Sequence, residues 1–360
     1  MPSLKEIKGR INSISSTLAI TSAMKMVAAA KLQKAQMAIQ NMLPYERRLH
    51  SMLIDLMGAM NISAAASEDG SVRGSGSAER GFDQSGDRLS LSNRHDLAGM
   101  DGAYSLMAQR EVRKVAIVAF ASNSSLCGAF NSNVIREATA VINEYRASGL
   151  GDADITVYSV GRKMAEAMRK LGFPSPADFT KMSDSPSYEA ASALAQELFD
   201  GFVSGRFDKV ELVYNHYKST SSQPTTRQTY LPLSLADATA DIQVGKITDS
   251  ASESDTNRGA ESVGAPVVRQ GSPTTETPDL IVEPSKEELI VTLLPKVVRL
   301  RVFTTLLDST AAEQAARTVA MQLATDNGND LLQELTLEYN KGRQQKITSE
   351  ILDLVGGSLQ

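Results

Sequence analysis

One cysteine, three histidines and no tryptophan are spread over 360 residues. A lone Cys127 can build neither an internal disulfide nor a thiolate zinc cage. His50, His95 and His216 are far apart along the chain, which argues against a histidine metal centre. The longest purely apolar run, Val115 to Ala121, falls far short of the ~20 residues that cross a bilayer. Lys5, Glu6, Lys8 and Arg10 stand where an export signal needs its apolar core, so none is expected. No Gly-x-x-x-x-Gly-Lys-Ser/Thr loop, Gly-x-Gly-x-x-Gly, His-Glu-x-x-His or Gly-x-Ser-x-Gly occurs, so neither the common nucleotide cradles nor these catalytic signatures are present. The expected inventory is therefore no catalytic residue, no metal and no cofactor. Aromatics make up only 5% of the chain, so aliphatic side chains and Met must carry the burial, as they do along helix seams. The formal charge is -5, too acidic overall for a nucleic-acid binder with a dominant basic field.

What is present divides into five stretches. Residues 1–57 read as one long helix: Leu4, Ile7, Ile11, Ile14 and Leu18 repeat at three-then-four spacing, and Ser3 with Glu6 resembles a capping box. Beyond Met24 the apolar pattern loosens, Met24, Met26 and Met37 are expected in the seam, and Pro44 is expected to kink the helix. Residues 58–112 are rich in Gly, Ser, Ala and Asp and read as a flexible insertion. Residues 113–235 alternate strands near 114–121, 155–160, 210–217 and 227–233 with helices near 131–145, 162–171 and 188–202. That alternation predicts a small doubly wound, Rossmann-like α/β domain. Residues 236–284 carry nine acids against three bases and read as a disordered acidic insertion. Residues 285–360 read as a second long helix, with Ser285 and Glu288 as another capping box and Pro295 as an expected bend.

Each terminal helix has only a narrow apolar stripe and is not stable alone in water. The economical arrangement is an antiparallel two-helix coiled coil carrying the α/β domain at one end. An exposed rod of that kind invites a partner that encloses it. The basic first helix, with eight Lys or Arg against two Glu in fifty residues, favours acidic protein as that partner. One enzymatic alternative exists: Cys127, between a strand and a helix, as nucleophile with His216 as its base. The competing account of Ser125-Leu-Cys127-Gly128 is a tight turn with a small buried thiol. A static coiled-coil scaffold is a third possibility.

Several motifs go beyond pattern. Ile20-Thr-Ser-Ala-Met-Lys-Met-Val27-Ala-Ala-Ala-Lys31 resembles the N-terminal signature of the gamma subunit of F-type ATP synthase. Ala315-Ala-Arg317-Thr-Val-Ala-Met321 and Ala324-Thr-Asp-Asn-Gly328 are similar to its C-terminal counterpart. So is the run from Leu337 through Gln344, Ile347, Thr348, Glu350 and Asp353 to Ser358. The likeness spares residues 58–110 and 236–278.

That resemblance implies a non-catalytic rotor, present once per complex. Its terminal helices stand inside a hexamer of alpha and beta subunits. Its α/β foot lies against the epsilon subunit and the c-ring, on the cytoplasmic side of the bacterial inner membrane. It binds no nucleic acid and meets the membrane only through the complex. The motif match assigns Arg317, Gln344, Thr348 and Glu350 to contact with beta, and Arg10, Lys25 and Lys31 to acidic lever loops. Leu126, Cys127 and Gly128 form a turn of the foot. Asn123-Ser124-Ser125 replaces the family's usual Asp-Arg-Gly, and Ala19 and Lys25 replace its frequent Lys and Glu. Both insertions are expected to be loops of the foot, because the hexamer leaves no room beside the upper shaft.

Overall fold

The computed structural model describes residues 3–59, 110–233, 283 and 286–357. The positions expected for the two insertions fall almost wholly outside them, and so does His95.

Two helices dominate. α1 runs Leu4–Ala59 and α6 runs Lys286–Gly357, continuing through Pro44 and Pro295 respectively. At 1.5 Å per residue their lengths are about 84 and 108 Å. They pair antiparallel: Leu4 lies against Gly342, Leu18 against Gly328, Thr21 bonds Thr325, and Leu32 and Ala35 pack on Ala311 and Ala315. The fourteen residues from Leu4 to Leu18 match the fourteen from Gly342 back to Gly328, so the register holds over four turns.

The three-four rhythm of α1 does not stop at Leu18. The same spacing continues through Thr21, Lys25, Ala28, Leu32, Ala35, Ile39, Met42, Glu46, Leu49, Leu53 and Leu56, all buried or half-buried. Burial therefore follows the heptad even where the residue is polar, because the facing helix covers that stripe whatever stands there. Met24 is half-buried, but Met26 is 65% and Met37 50% exposed, which corrects the expectation that they pack in the seam. On α6 the seam continues at Met321, Thr325, Gly328, Leu332, Leu335, Tyr339 and Gly342. From Leu300 to Ala315 the helix is instead buried or half-buried on every side. That change of pattern marks where the rod enters the foot.

The foot is a four-stranded sheet with order β2-β1-β3-β4. β1 (Val115–Phe120) is flanked by β2 (Ile155–Val160) and β3 (Lys209–Asn215), both parallel to it, and β4 (Thr225–Leu231) closes one edge antiparallel to β3. α2 (Phe130–Ala147), α3 (Arg162–Lys170), α4 (Thr180–Asp184) and α5 (Tyr188–Val203) complete it. α4 and a 3₁₀ turn at Asp152–Asp154 are additions to the expected elements.

Alternation along β1 assigns the layers. Val115, Ile117 and Ala119 pack on α2 and α3 through Val134, Ala138, Met164 and Met168. Ala116, Val118 and Phe120 face Leu194, Leu198 and Phe202 of α5, together with Leu49 and Leu53 of α1 and Leu294, Val298 and Val302 of α6. Helices thus cover both faces, as the doubly wound reading requires, but one covering layer is partly the rod itself. Tyr230, wholly buried in edge strand β4, donates its hydroxyl to the Val298 carbonyl of α6 at 2.9 Å.

Edge strand β4 is also fixed by charge. Glu211 on β3 is 1% exposed and accepts from Arg227 Nε at 2.7 Å, Lys209 Nζ at 2.7 Å and the Tyr145 hydroxyl at 2.6 Å. Arg227 reaches on to Glu144 of α2. Burial opposes ionisation of Glu211, but the bonds from Arg227, Lys209 and Tyr145 outweigh it and hold its carboxyl below the ordinary 4.5. A lowered native value stabilises the fold above pH 4.5, and that stabilisation is lost as pH falls through the lowered value.

Two outcomes follow. Glu211→Gln leaves Lys209 without its carboxylate and Arg227 with Glu144 alone, and is expected to cost about 3 kcal/mol, with a flatter acid limb in stability against pH. Tyrosine near-UV circular dichroism across a pH series of thermal melts reads both effects. At Gly328 a Cβ would stand 2.6 Å from Leu18 Cδ2. Gly328→Val is therefore expected to cost about 1–3 kcal/mol in denaturant unfolding, and adding Leu18→Ala is expected to recover part of it.

Candidate coupling surface

The rod presents apolar groups to its surroundings. Within the Ile20–Lys31 signature the polar Thr21 and Lys25 turn into the seam, while Ile20, Met26 and Val27 are 61%, 65% and 58% exposed. Leu331 and Leu337 on α6 are likewise exposed. Such a surface in water is unfavourable by ~25 cal/mol per Å² of apolar area left uncovered. Of the basic residues, Lys25 is half-buried, Lys31 is exposed, and Arg10 is exposed with its guanidinium 3.0 Å from Glu6.

Past Gly342, α6 continues beyond Leu4, the first residue of α1, and residues 343–352 are all exposed. Gln344 and Thr348 lie here, one turn apart on one face, with the Thr348 hydroxyl donating to the Gln344 carbonyl at 2.9 Å. They line a shallow depression with Lys341, Gln345, Ser349 and Leu352. Glu350 is exposed too, 3.7 Å from Lys346, but it lies about 200° around the helix from Thr348.

Arg317 is elsewhere. It stands about 40 Å down α6 from Gln344 and is only 8% exposed. Its guanidinium donates to the Ser125 carbonyl at 2.6 Å, the Ser124 hydroxyl at 2.8 Å and the Glu313 carboxylate at 2.7 Å. Burial pushes the Glu313 carboxyl above its usual range, against the pull of Arg317. The four residues grouped for contact with a partner do not form one surface: two share a face, one stands round the helix, and Arg317 is turned inward.

The turn that Arg317 holds follows β1. Leu126 takes φ +67 and Gly128 φ +59, both left-handed, which reverse the chain between strand and α2. Leu126 accepts a conformation costing roughly 1–2 kcal/mol for a residue with a Cβ. Asn131 of α2 braces the turn, accepting from the Ser122 amide at 3.0 Å and donating to the Ser124 carbonyl at 3.2 Å and the Cys127 sulfur at 3.1 Å. Asn123 takes the Arg162 amide at 2.8 Å and donates to the Thr180 carbonyl at 2.7 Å. Neutral Asn side chains thus brace the loop beside the Arg317 and Arg162 guanidiniums that donate to its backbone carbonyls.

Cys127 is 1% exposed and packs on Phe130 and Ala312. His216 Nδ1 lies 2.6 Å from Asp308 Oδ2, and Asp308 Oδ1 accepts the Tyr217 amide at 2.8 Å. Both members of the supposed nucleophile–base pair are engaged in holding strand-end loops to α6. Asp308, Glu313, Ser122 and Asn131 went unremarked in the sequence. For Glu313 a signal was available in the polar series Arg301, Thr305, Ser309, Glu313 and Arg317, which recurs at every fourth residue.

Among the described residues no helix is long and apolar enough to cross a membrane, and no three His, Cys, Asp or Glu side chains gather as for a metal. A family model described as ATP synthase matches residues 3–359. The ATP synthase gamma chain of Phocaeicola vulgatus is 46% identical over 359 residues, covering 100% of each chain, and that of Bacteroides thetaiotaomicron is 44% identical over 360 with the same coverage. The chain belongs to the ATP synthase gamma-chain family. A chain in the Euglena gracilis mitochondrial ATP synthase structure of OSCP, F1 and c-ring shares the fold. It is 17% identical, with a TM-score of 0.51, over 98% of this chain and 92% of that one. The role of this gamma-family chain is that of the central shaft of an ATP synthase, part of a membrane-bound complex.

Because Cys127 is enclosed against α6, thiol reagents are expected to leave the folded chain unmodified and to label Cys127 on unfolding, as read by mass spectrometry. Rapid labelling of the native chain would contradict this placement.

Proposed function

We propose that this shaft carries torque between a proton-driven c-ring beside its foot and a catalytic alpha/beta hexamer around its upper half, without catalytic residues of its own. The epsilon subunit joins the foot, and one copy serves each complex, on the cytoplasmic face of the bacterial inner membrane. The observation that carries the reading is the outward apolar surface of a stiff rod whose seam is already filled. Ile20, Met26, Val27 and Leu337 have no function in an isolated coiled coil, and an enclosing sleeve gives them one.

The rod is also lopsided. Where α1 lies along α6, from Leu4 against Gly342 downward, a partner meets two helices, and at residues 343–357 it meets one. A lopsided axle presents different contacts to each of several identical partners as it turns. Differential contact of this kind is what biases a conformational equilibrium. Gln344 and Thr348 on one face, and Glu350 on another, supply hydrogen-bonding groups there that engage beta in turn. Arg10 and Lys31 offer cations to acidic loops lower down.

In the intact enzyme, Gln344→Ala with Thr348→Ala is expected to slow ATP synthesis by about fivefold for each hydrogen bond of ~1 kcal/mol lost, with the subunit still assembled. Synthesis unchanged in the double variant would remove these residues from the coupling surface. Failure of the chain to co-purify with a hexameric ATPase from native membranes would remove the reading altogether.

A further inference from the structure

In a doubly wound sheet the crevice outside the carboxyl ends of the parallel strands ordinarily holds a ligand. Here α6 runs across that edge, and the loops leaving the two neighbouring strands β1 and β3 both bind it. The β3 loop contributes His216 and the Tyr217 amide, which hold the two oxygens of Asp308 at 2.6 and 2.8 Å. The same loop reaches α1, because the Tyr217 hydroxyl accepts from Gln36 Nε2 at 2.6 Å. The β1 loop contributes the Ser125 carbonyl and Ser124 hydroxyl, held by the fork of Arg317, which is itself oriented by buried Glu313. Cys127, Phe130 and Ala312 fill the space between these ties with apolar contact.

The two ties differ in kind from most of the foot–rod interface, in which the Arg299 guanidinium of α6 also donates to Gln196 Oε1 of α5 at 2.6 Å. Below them the contact is mostly aliphatic, through residues such as Leu49, Leu294, Val298 and Val302. Apolar burial is non-directional and tolerates a small rotation of one surface over another. A bidentate or charge-assisted hydrogen bond is directional and does not. Asp308 and Arg317 are nine residues apart, which puts them about 13 Å apart along α6 and about half a turn around it. One tie alone is a hinge. Two ties on different sides of one helix fix its angle about its own axis.

We propose that Asp308 and Arg317 are positioning residues that lock the angular register of the foot on the shaft, and that torque passes between foot and coiled coil through these two ties. The proposal deepens the shaft reading and rests on it.

The test uses the assembled enzyme with a rotation probe on Ser148→Cys, an exposed foot position; Cys127, the chain's only natural cysteine, is buried. The angular spread of the probe is recorded while the rotor dwells between ATP-driven steps. Arg317→Lys keeps a cation beside Glu313 but loses the fork, and Asp308→Ala removes both acceptors of the β3 loop. Each is expected to broaden the spread, and the double variant to broaden it further. Tyr230→Phe, which deletes a polar tie within the aliphatic part of the interface, is expected to leave it unchanged. Should Asp308→Ala fail to assemble, Asp308→Asn keeps an acceptor for the Tyr217 amide and is expected to broaden the spread less. A spread equal to that of the unsubstituted enzyme in Arg317→Lys and in either Asp308 variant overturns the proposal, as does equal broadening by Tyr230→Phe. An unsubstituted enzyme whose probe does not turn on ATP overturns the shaft reading itself, a distinguishable result.

Discussion

The seam between α1 and α6 is the contact on which every other feature depends. A single helix with a two-position stripe has little to hold it together in water, and at 56 and 72 residues these two are far longer than ordinary globular helices. Their pairing puts the first and last helices of the chain side by side. The small sheet is thereby closed between two arms that were already joined. Gly328 and Gly342 let α6 approach Leu18 and Leu4 closely, which favours a thin, stiff rod over a bulky one.

The foot is not a separate body attached to that rod. One of its two cores takes Leu49, Leu53 and Leu56 from α1 and Ile290 through Leu306 from α6, so the sheet has a complete covering layer only when the rod is in place. A torque applied to such a foot must load the rod, because separating them would expose the Phe120, Tyr158 and Phe202 core to water. The opposite core, between the sheet and α2 and α3, is independent of the rod and gives the foot its own rigidity.

Much of this was legible in the sequence, for identifiable reasons. Strands such as Val115–Phe120 stand out because a parallel strand buried on both faces must be continuously apolar. The long helices stand out because Leu4 to Leu18 keep an unbroken heptad. The middle of α1 was misread because the seam there holds Thr21, Lys25 and Glu46 while Met26 and Met37 look outward. A hydrophobicity pattern assumes that apolar means inside the chain, and a shaft with Met26 and Met37 on its outer surface violates that assumption. Arg317 was likewise legible as significant through its motif, but its inward direction was not. Only tertiary packing places Ser124 and Ser125, nearly two hundred residues away, against its guanidinium.

The same logic bears on the carboxyl edge of the sheet. A Rossmann-like sheet carries ligands at the carboxyl edge because strand-end loops and helix N-termini converge there with unsatisfied polar groups. In this chain those loops spend their polar groups on α6: the Ser125 carbonyl on Arg317, the Tyr217 amide and His216 on Asp308. Asn131, at the start of α2, turns back to satisfy Ser122 and Ser124. A helix of the same chain thus occupies the edge at the ends of β1 and β3. The geometry that elsewhere orients a ligand orients an axle here, and a lost hydrogen bond at that edge alters mechanical register.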